Sequence, residues 1–579
     1  METYMMKFRK VIVRILVPIV FLVSACQVNP ESKSEEADDV VGNRQTYYQN
    51  PILAGWYPDP AITDDGKGNF YMVHSTFAFY PGIPIFHSTD LVNWKQIGHV
   101  LERPEQLDLE GFGVSRAIFA PDISYDNGIF YVTCTVVDGQ GNFVVTATDP
   151  AGEWSNPVYL PKVIGIDPGL FFDEDKTYLV YNSDAPDNKP LYQGHRTIRM
   201  VEFDKENLKV ISEDRILVNG GVDISTKPIW AEGPRIYKLN GYYYLMTAEG
   251  GTAVNHSEMI YRTKDINDDF IPYKDNPILT QRSLDPGRKH PITSAGHADL
   301  IQHPNGNWYG VFLACRDYDQ DHYNTGRETF MAPVKWVNDW PVFDLEGEEI
   351  RYKYDLPEGV LVDTTLFPLN GNFSFTDSFE DSLGYHWYFL RTVKDPWYSV
   401  GEKLGFLTLE TRPETISGES NPSFIAHRQQ HQKFSAEVSL AFKPTDQNEK
   451  AGIVAFQNET HYYFLALAQE KGKMFVQVLK GGDDGEELVA SKELETDSDG
   501  LIRLKISSDV TSYAFHFATD NDNWELLKEG LDSRYLSTRE AGGFVGVSLA
   551  MYTSSYGKES EARAHFGEFT YSGNDAMFK

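Results

Sequence analysis

Three cysteines in 579 residues are too few for a disulfide framework. Cys134 and Cys315 fall on expected strands of different repeats, so each reads as a buried free thiol. Basic residues are also scarce: 52 Lys and Arg stand against 84 Asp and Glu, a formal net charge of -32. That balance argues against nucleic acid or an anionic membrane surface as partner. An uncharged ligand such as a neutral sugar fits better. Helical periodicity is nearly missing from residues 46–344, which excludes a helical bundle. Long apolar runs are missing too. Ile15–Val23 is too short for a comfortable membrane span.

That short run follows Lys7, Arg9, Lys10 and Arg14, and the combination marks a targeting segment outside the fold. It ends in Val23-Ser24-Ala25-Cys26, which resembles the bacterial lipoprotein signal. Residues 1–26 are therefore expected to be a signal peptide ending at a lipidated cysteine, and the polar, acidic residues 27–45 a flexible tether. A lipid would then be the protein's whole contact with the membrane. No acidic run directly follows Cys26, so the expected place is the periplasmic face of a bacterial outer membrane rather than the cell surface.

Aromatics reach 13% and apolar residues 41%, enough for packed, strand-rich cores. At this length more than one domain is expected. The stretch Asn50–Ile62, NPILAGWYPDPAI, holds Asp59 between two prolines. The second proline is expected to push Asp59 towards an extended conformation. Four later segments begin similarly: Pro121-Asp122, Ile166-Asp167-Pro168, Ala231-Glu232-Gly233-Pro234 and Gly296-His297-Ala298-Asp299. Each leads through a polar turn into an aromatic-rich strand, and the starts are 45 to 65 residues apart. Such spacing suits blades of about four strands. Radial repetition makes a propeller whose innermost strands line a central channel. All five polar starts are thus expected at one axis of a five-bladed β-propeller spanning 46–345. Trp94 and Trp154 read as buried tryptophans of matching blade-edge turns.

Residues 346–370 lose the repeat and read as a linker. From 371 to 579, alternating strands such as FSAEVSLAFK (434–443) and GFVGVSLAMY (543–552) indicate an all-β sandwich. It carries no carboxylate constellation, so binding or stability is its default role.

Hydrolysis of a glycosidic bond needs one ionised carboxylate to activate water and one protonated carboxyl to protonate the leaving oxygen. Asp59, Asp167 and Glu232 sit on separate blade starts in proline-stiffened contexts. Sharing an axis, their like charges should raise one member's pKa. Glu232 has the longest reach of the three. Asp122 and Asp299 are assigned structural turn roles.

Those residues, together with NPILAGWYPDP (50–60), FYPGIPIFHSTDLVNWKQIGH (79–99), GIDPGLFF (165–172), AEGPRIYK (231–238), AEGGT (248–252), GHADL (296–300) and GRETFMAPV (326–334), resemble glycoside hydrolase family 43. The similarity is to its β-xylosidase-like branch with a C-terminal, concanavalin A-like β-sandwich. It implies Asp59 as general base, Glu232 as general acid and Asp167 as the residue that orients the acid and tunes its pKa. It also implies inversion of the anomeric configuration. Phe77 would wall the sugar site and Arg327 would bind sugar hydroxyls. His297 would lie beside a structural calcium found in many relatives, while the chemistry itself would need no cofactor. One departure stands out: relatives commonly carry tryptophan where this chain has Phe119. The expected activity is exo-acting release of α-L-arabinofuranose from plant oligosaccharides or polysaccharides, with β-D-xylosidase as the alternative. A carbohydrate-binding lipoprotein without catalysis is disfavoured because all three carboxylates are present. An endo-acting arabinanase is disfavoured because the sandwich resembles that of exo-acting relatives.

Overall fold

The computed structural model describes residues 45–495, 500–519 and 523–579. The signal and tether expectations therefore lie outside the described residues, save for Gln45. Among the described residues no helix is long and apolar enough to cross a membrane.

Five sheets of four or five strands follow one another along the chain, each antiparallel and ordered nearly as the sequence runs. Their innermost strands are Ala61–Asp64, Asp122–Asp126, Ile166–Asp173, Glu232–Leu239 and Ile292–Gln302. Each packs beside the next, and the fifth returns to the first, so the ring closes as a five-bladed propeller. The second strands, such as Ile129–Val137 (IFYVTCTVV), are buried almost throughout, because neighbouring blades cover both faces. Both blade-edge turns match the expectation. The Trp94 indole donates to the Leu91 carbonyl at 2.8 Å, the Trp154 indole to Pro150 at 3.3 Å, and both rings are buried.

The N-terminal segment clasps the ring. Tyr47–Gln49 pairs with Lys353–Asp355 just beyond the last blade. The Asn50 side chain exchanges hydrogen bonds with Met331 of the fifth blade, at 2.8 and 3.0 Å. Residues 344–373 lie along the propeller, and Leu345, Ile350, Tyr354 and Leu369 share its core.

The remaining strands form two facing eight-stranded sheets, a concanavalin A-like β-sandwich. One sheet takes its outermost strand from the propeller: Phe79–Tyr80 pairs with Tyr388–Leu390. An exposed sheet edge invites unwanted pairing, and this short segment covers it. Apolar packing runs on through the contact, with Trp56, Phe77 and Phe79 in one cluster with Tyr388, Phe424 and Val545.

Candidate active site

The backbone at the blade starts departs from the extended form expected of Asp59. Its φ is +56°, in the left-handed region, and Asp167 (+54°), Gly233 (+58°) and His297 (+51°) match it. In the third, fourth and fifth blades the inner-strand register slips at this point, so two residues bulge out of the ladder. A following proline disfavours the right-handed helical region but leaves this conformation open. Tertiary bonds to the side chain then hold Asp59 there, and strain of this kind gathers at functional sites. In the fourth blade the left-handed position belongs to Gly233. A Cβ there would stand 2.8 Å from the His297 ring, and glycine leaves the carboxylate one residue earlier, on Glu232.

Counting from the bulge separates the five blade starts into two layers. Asp59, Asp167 and His297 occupy the outer layer, together with Glu232. Asp122 and Asp299 do not join them. Asp299 lies two residues beyond His297, where Arg235 faces both aspartates: its Nε is 3.1 Å from Asp122 Oδ1 and 3.7 Å from Asp299 Oδ2. Tyr237 donates to Asp299 Oδ1 at 2.6 Å, and the Ile62 and Leu170 amides donate to Asp299 and Asp122. The pair bridges blades through Arg235 instead of serving the local turns expected of it. Gly169 makes room: a Cβ on it would lie 3.3 Å from Arg235 NH1.

The outer layer opens into a cavity of about 440 Å³ lined by Asp59, Asp167, Glu232, Phe77, Phe119, Arg327 and His297. Every expected site residue is therefore brought together. Asp59 Oδ2 accepts from the Ser75 hydroxyl at 2.5 Å, and Oδ1 accepts from Arg327 NH1 at 3.1 Å. Burial pushes this carboxyl up, but the Arg327 charge and the Ser75 hydrogen bond hold it below the ordinary carboxylate range. His297 Nδ1 lies 3.6 Å from the same oxygen. Burial drives that imidazole down to about 3, so it is neutral near pH 7 and Arg327 supplies the compensating charge.

Glu232 behaves oppositely. Burial, then the charges of Asp167 and Asp59, raise its pKa well above the usual value, and Arg327 and Arg196 offset only part of this. Asp167 Oδ2 accepts the Gly233 N–H at 3.0 Å, which fixes the backbone next to Glu232. Burial and the Asp59 charge raise Asp167 as well, to about 7. The cluster thus holds one carboxyl pushed towards the ionised form, Asp59, and one pushed towards the protonated form, Glu232.

Three rings wall one side. Phe77 stacks on Phe544 at 5.9 Å, and Phe119 meets both edge-on at 5.6 Å. Phe544 belongs to the sandwich and was not identified from sequence. Its amide donates to Ser115 Oγ at 2.9 Å, and its carbonyl accepts from Arg327 at 3.4 Å. Arg327 is thereby pinned between Asp59 and the sandwich. Ser75, Arg196 and Trp230 also escaped the sequence reading. AEGGT was noted as a motif, yet no signal showed that Gly250, Gly251 and Thr252 line the pocket.

Calcium takes six to eight oxygen ligands. His297 Nε2 is buried without a partner, so one donor is free. Among the described residues no group of three or more His, Cys, Asp or Glu side chains could hold a metal ion. This donor set does not make a side-chain calcium cage, and no step below runs through a metal.

A propeller with carboxylates of opposed protonation at one mouth, backed by a sandwich, defines a class of glycosidase. Residues 48–341 match Glycosyl hydrolases family 43, and residues 376–572 match the Beta xylosidase C-terminal Concanavalin A-like domain. The chain belongs to glycoside hydrolase family 43. It is 38% identical to a xylosidase/arabinosidase of Butyrivibrio fibrisolvens, across 90% of this chain and 98% of that one. It is 34% identical to a non-reducing end alpha-L-arabinofuranosidase of Bacteroides ovatus (91% and 95%) and 30% identical to a beta-xylosidase of Bacillus subtilis (87% and 95%). A family 43 crystal structure from a capybara gut metagenome superposes with a TM-score of 0.82 at 40% identity, covering 88% of this chain and 95% of that one.

Proposed function

We propose that this enzyme is an exo-acting, inverting hydrolase that removes terminal α-L-arabinofuranosyl residues from plant hemicellulose side chains or oligosaccharides. The observation that carries the chemistry is that Asp59 and Glu232 line one cavity, where their surroundings push the two carboxyls in opposite directions. Asp59 takes a proton from water as the water oxygen attacks the anomeric carbon. The glycosidic C–O bond breaks on the opposite face, and the Glu232 proton passes to the leaving oxygen. Inversion by this route needs the two carboxyls roughly 6.5–9.5 Å apart, with room for the water. Asp167 is the positioning residue: it holds the Gly233 amide and adds the negative charge that keeps Glu232 protonated. Arg327 keeps Asp59 ionised and faces the sugar between the Phe77 and Phe544 rings.

Support for arabinofuranose comes from the wall. Phe119 offers no donor where an indole would, and its smaller ring leaves space for the exocyclic hydroxymethyl group of a furanose. The arabinofuranosidase relative from Bacteroides ovatus points the same way. The beta-xylosidase relative favours the second reading, a β-D-xylosidase. We further propose a lipid on Cys26 as the one membrane contact, with the enzyme facing the periplasm.

A panel of aryl pentosides tests the sugar. Higher kcat/KM on the α-L-arabinofuranoside is expected. A preference for the β-D-xyloside of about tenfold or more would make the second reading the correct one, since such a factor is what one pocket contact supplies.

A further inference from the structure

The fourth blade starts with an exposed aromatic ring that the chemistry above leaves unused. Trp230 lines the cavity two residues before Glu232 and is 38% exposed. Its backbone is fixed in the left-handed region, φ +53°, with its amide donating to the Gly194 carbonyl at 2.9 Å. One face of the indole is covered by the Arg196 guanidinium, 4.7 Å from the ring. Arg196 is itself clamped, donating from Nε and NH2 to Asn182 Oδ1 at 3.0 and 2.7 Å and from NH1 to Asp184. The ring is therefore preorganised, and it remains partly exposed where it lines the cavity.

Apolar side chains continue this surface outward. Ile229 is 46% exposed, and its carbonyl accepts the Gly250 amide. Gly251 carries no side chain where a Cβ would come within 3.9 Å of both Ile229 and Trp230. A solvent-facing tryptophan in an apolar setting, at the rim of a catalytic cavity, marks a ligand contact and not core packing.

Position decides which ligand. Asp59 and the three phenylalanines surround the sugar that is cut off. Glu232 protonates the leaving oxygen, so what lies on the Trp230 side is attached to that oxygen. We infer that Trp230, braced by Arg196, is the stacking platform for the first pyranose ring of the leaving group, a neutral xylose-type backbone unit whose C–H face lies on the indole. This inference rests on the exo-hydrolase reading and extends it from the removed sugar to the chain that carries it.

The test compares losses on two substrates with one cleavable sugar: methyl α-L-arabinofuranoside, which has nothing to stack, and an arabinofuranosyl-xylotriose. Trp230→Ala should lower kcat/KM on the oligosaccharide by about 10–100-fold more than on the methyl glycoside, the range expected for one lost apolar contact. Trp230→Phe keeps a ring at the position and should recover most of the difference. Equal losses on both substrates for Trp230→Ala overturn the platform. The same pair is run as methyl β-D-xyloside and xylobiose, so an enzyme that removes xylose fails the arabinose assignment while the ratio still tests Trp230. A second measurement does not depend on turnover. In a Glu232→Gln background, xylotriose should change tryptophan fluorescence, and adding Trp230→Phe should abolish that change. A change that persists undiminished in the double variant contradicts the inference.

Discussion

The two layers of the propeller axis hold the same residue types among different partners. In the inner layer Asp122 and Asp299 face one guanidinium, a phenol and two backbone amides, which offset part of the burial that raises Asp299 to about 6. In the outer layer Arg327 bonds Asp59, and the charges of Arg327, Arg235 and Arg196 offset only part of what burial and mutual repulsion do to Asp167 and Glu232. Three carboxyls with so little cationic charge cannot all ionise, and the proton settles on the longest and least compensated side chain. A step of two residues along a strand separates a structural brace from a reactive cluster. The lesson is that partners, not position near the axis, decide which carboxylates do chemistry.

Altering the outer layer should cost activity far more than stability. Asp59→Asn should lose about 10²–10⁴-fold in kcat/KM on every substrate, the usual worth of a positioned base, while its thermal midpoint stays close to wild type. Activity surviving on any glycoside would place the base elsewhere. Glu232→Gln should fall similarly on natural substrates but by much less on aryl glycosides whose leaving groups need little protonation. Equal loss on both would remove Glu232 from the acid role.

The inner layer should show the reverse. Arg235→Met strands two buried carboxylates, and breaking such a pair costs about 3–5 kcal/mol. Denaturant unfolding should report that loss, with kcat of the folded enzyme within a few fold of wild type. A stable but inactive variant would erase the distinction between the layers.

Much of this was legible in the sequence, for identifiable reasons. Asp59 and Asp167 directly precede a proline and Glu232 stands two residues before one, and that local pattern recurs at a spacing that suits propeller blades. Asp122 and Asp299 share the pattern, so spacing alone placed them at the same level; the two-residue offset lies within the uncertainty of counting blades from motifs. The left-handed backbone of Asp59 was missed because side-chain anchors 16 and 268 residues away, Ser75 and Arg327, override the preference set by Pro60. Phe544 and Trp230 carry no motif. One reaches the pocket from another domain, and the other is an ordinary loop aromatic until the Arg196 and Gly194 contacts turn it towards the cavity.

A smaller effect sharpens the account of Asp59. The Ser75 hydrogen bond stabilises the ionised carboxylate, so Ser75→Ala should raise the pKa of the base. The base must be ionised to act, and the acid limb of the kcat/KM–pH profile should therefore move to higher pH. No movement, or movement downward, would mean that limb belongs to another group. The smallest effect is expected at the wall: Phe119→Trp should shift the ratio of arabinofuranoside to xyloside efficiency towards xylose by several-fold, about the worth of one apolar contact.

The central claim is that Asp59, ionised and braced by Arg327, activates water and does not attack the sugar itself. Proton NMR of the first-formed product, recorded before mutarotation, tests this directly. Hydrolysis of an α-L-arabinofuranoside should release the β anomer first. Release of the α anomer, with configuration retained, would make Asp59 a nucleophile and contradict the account.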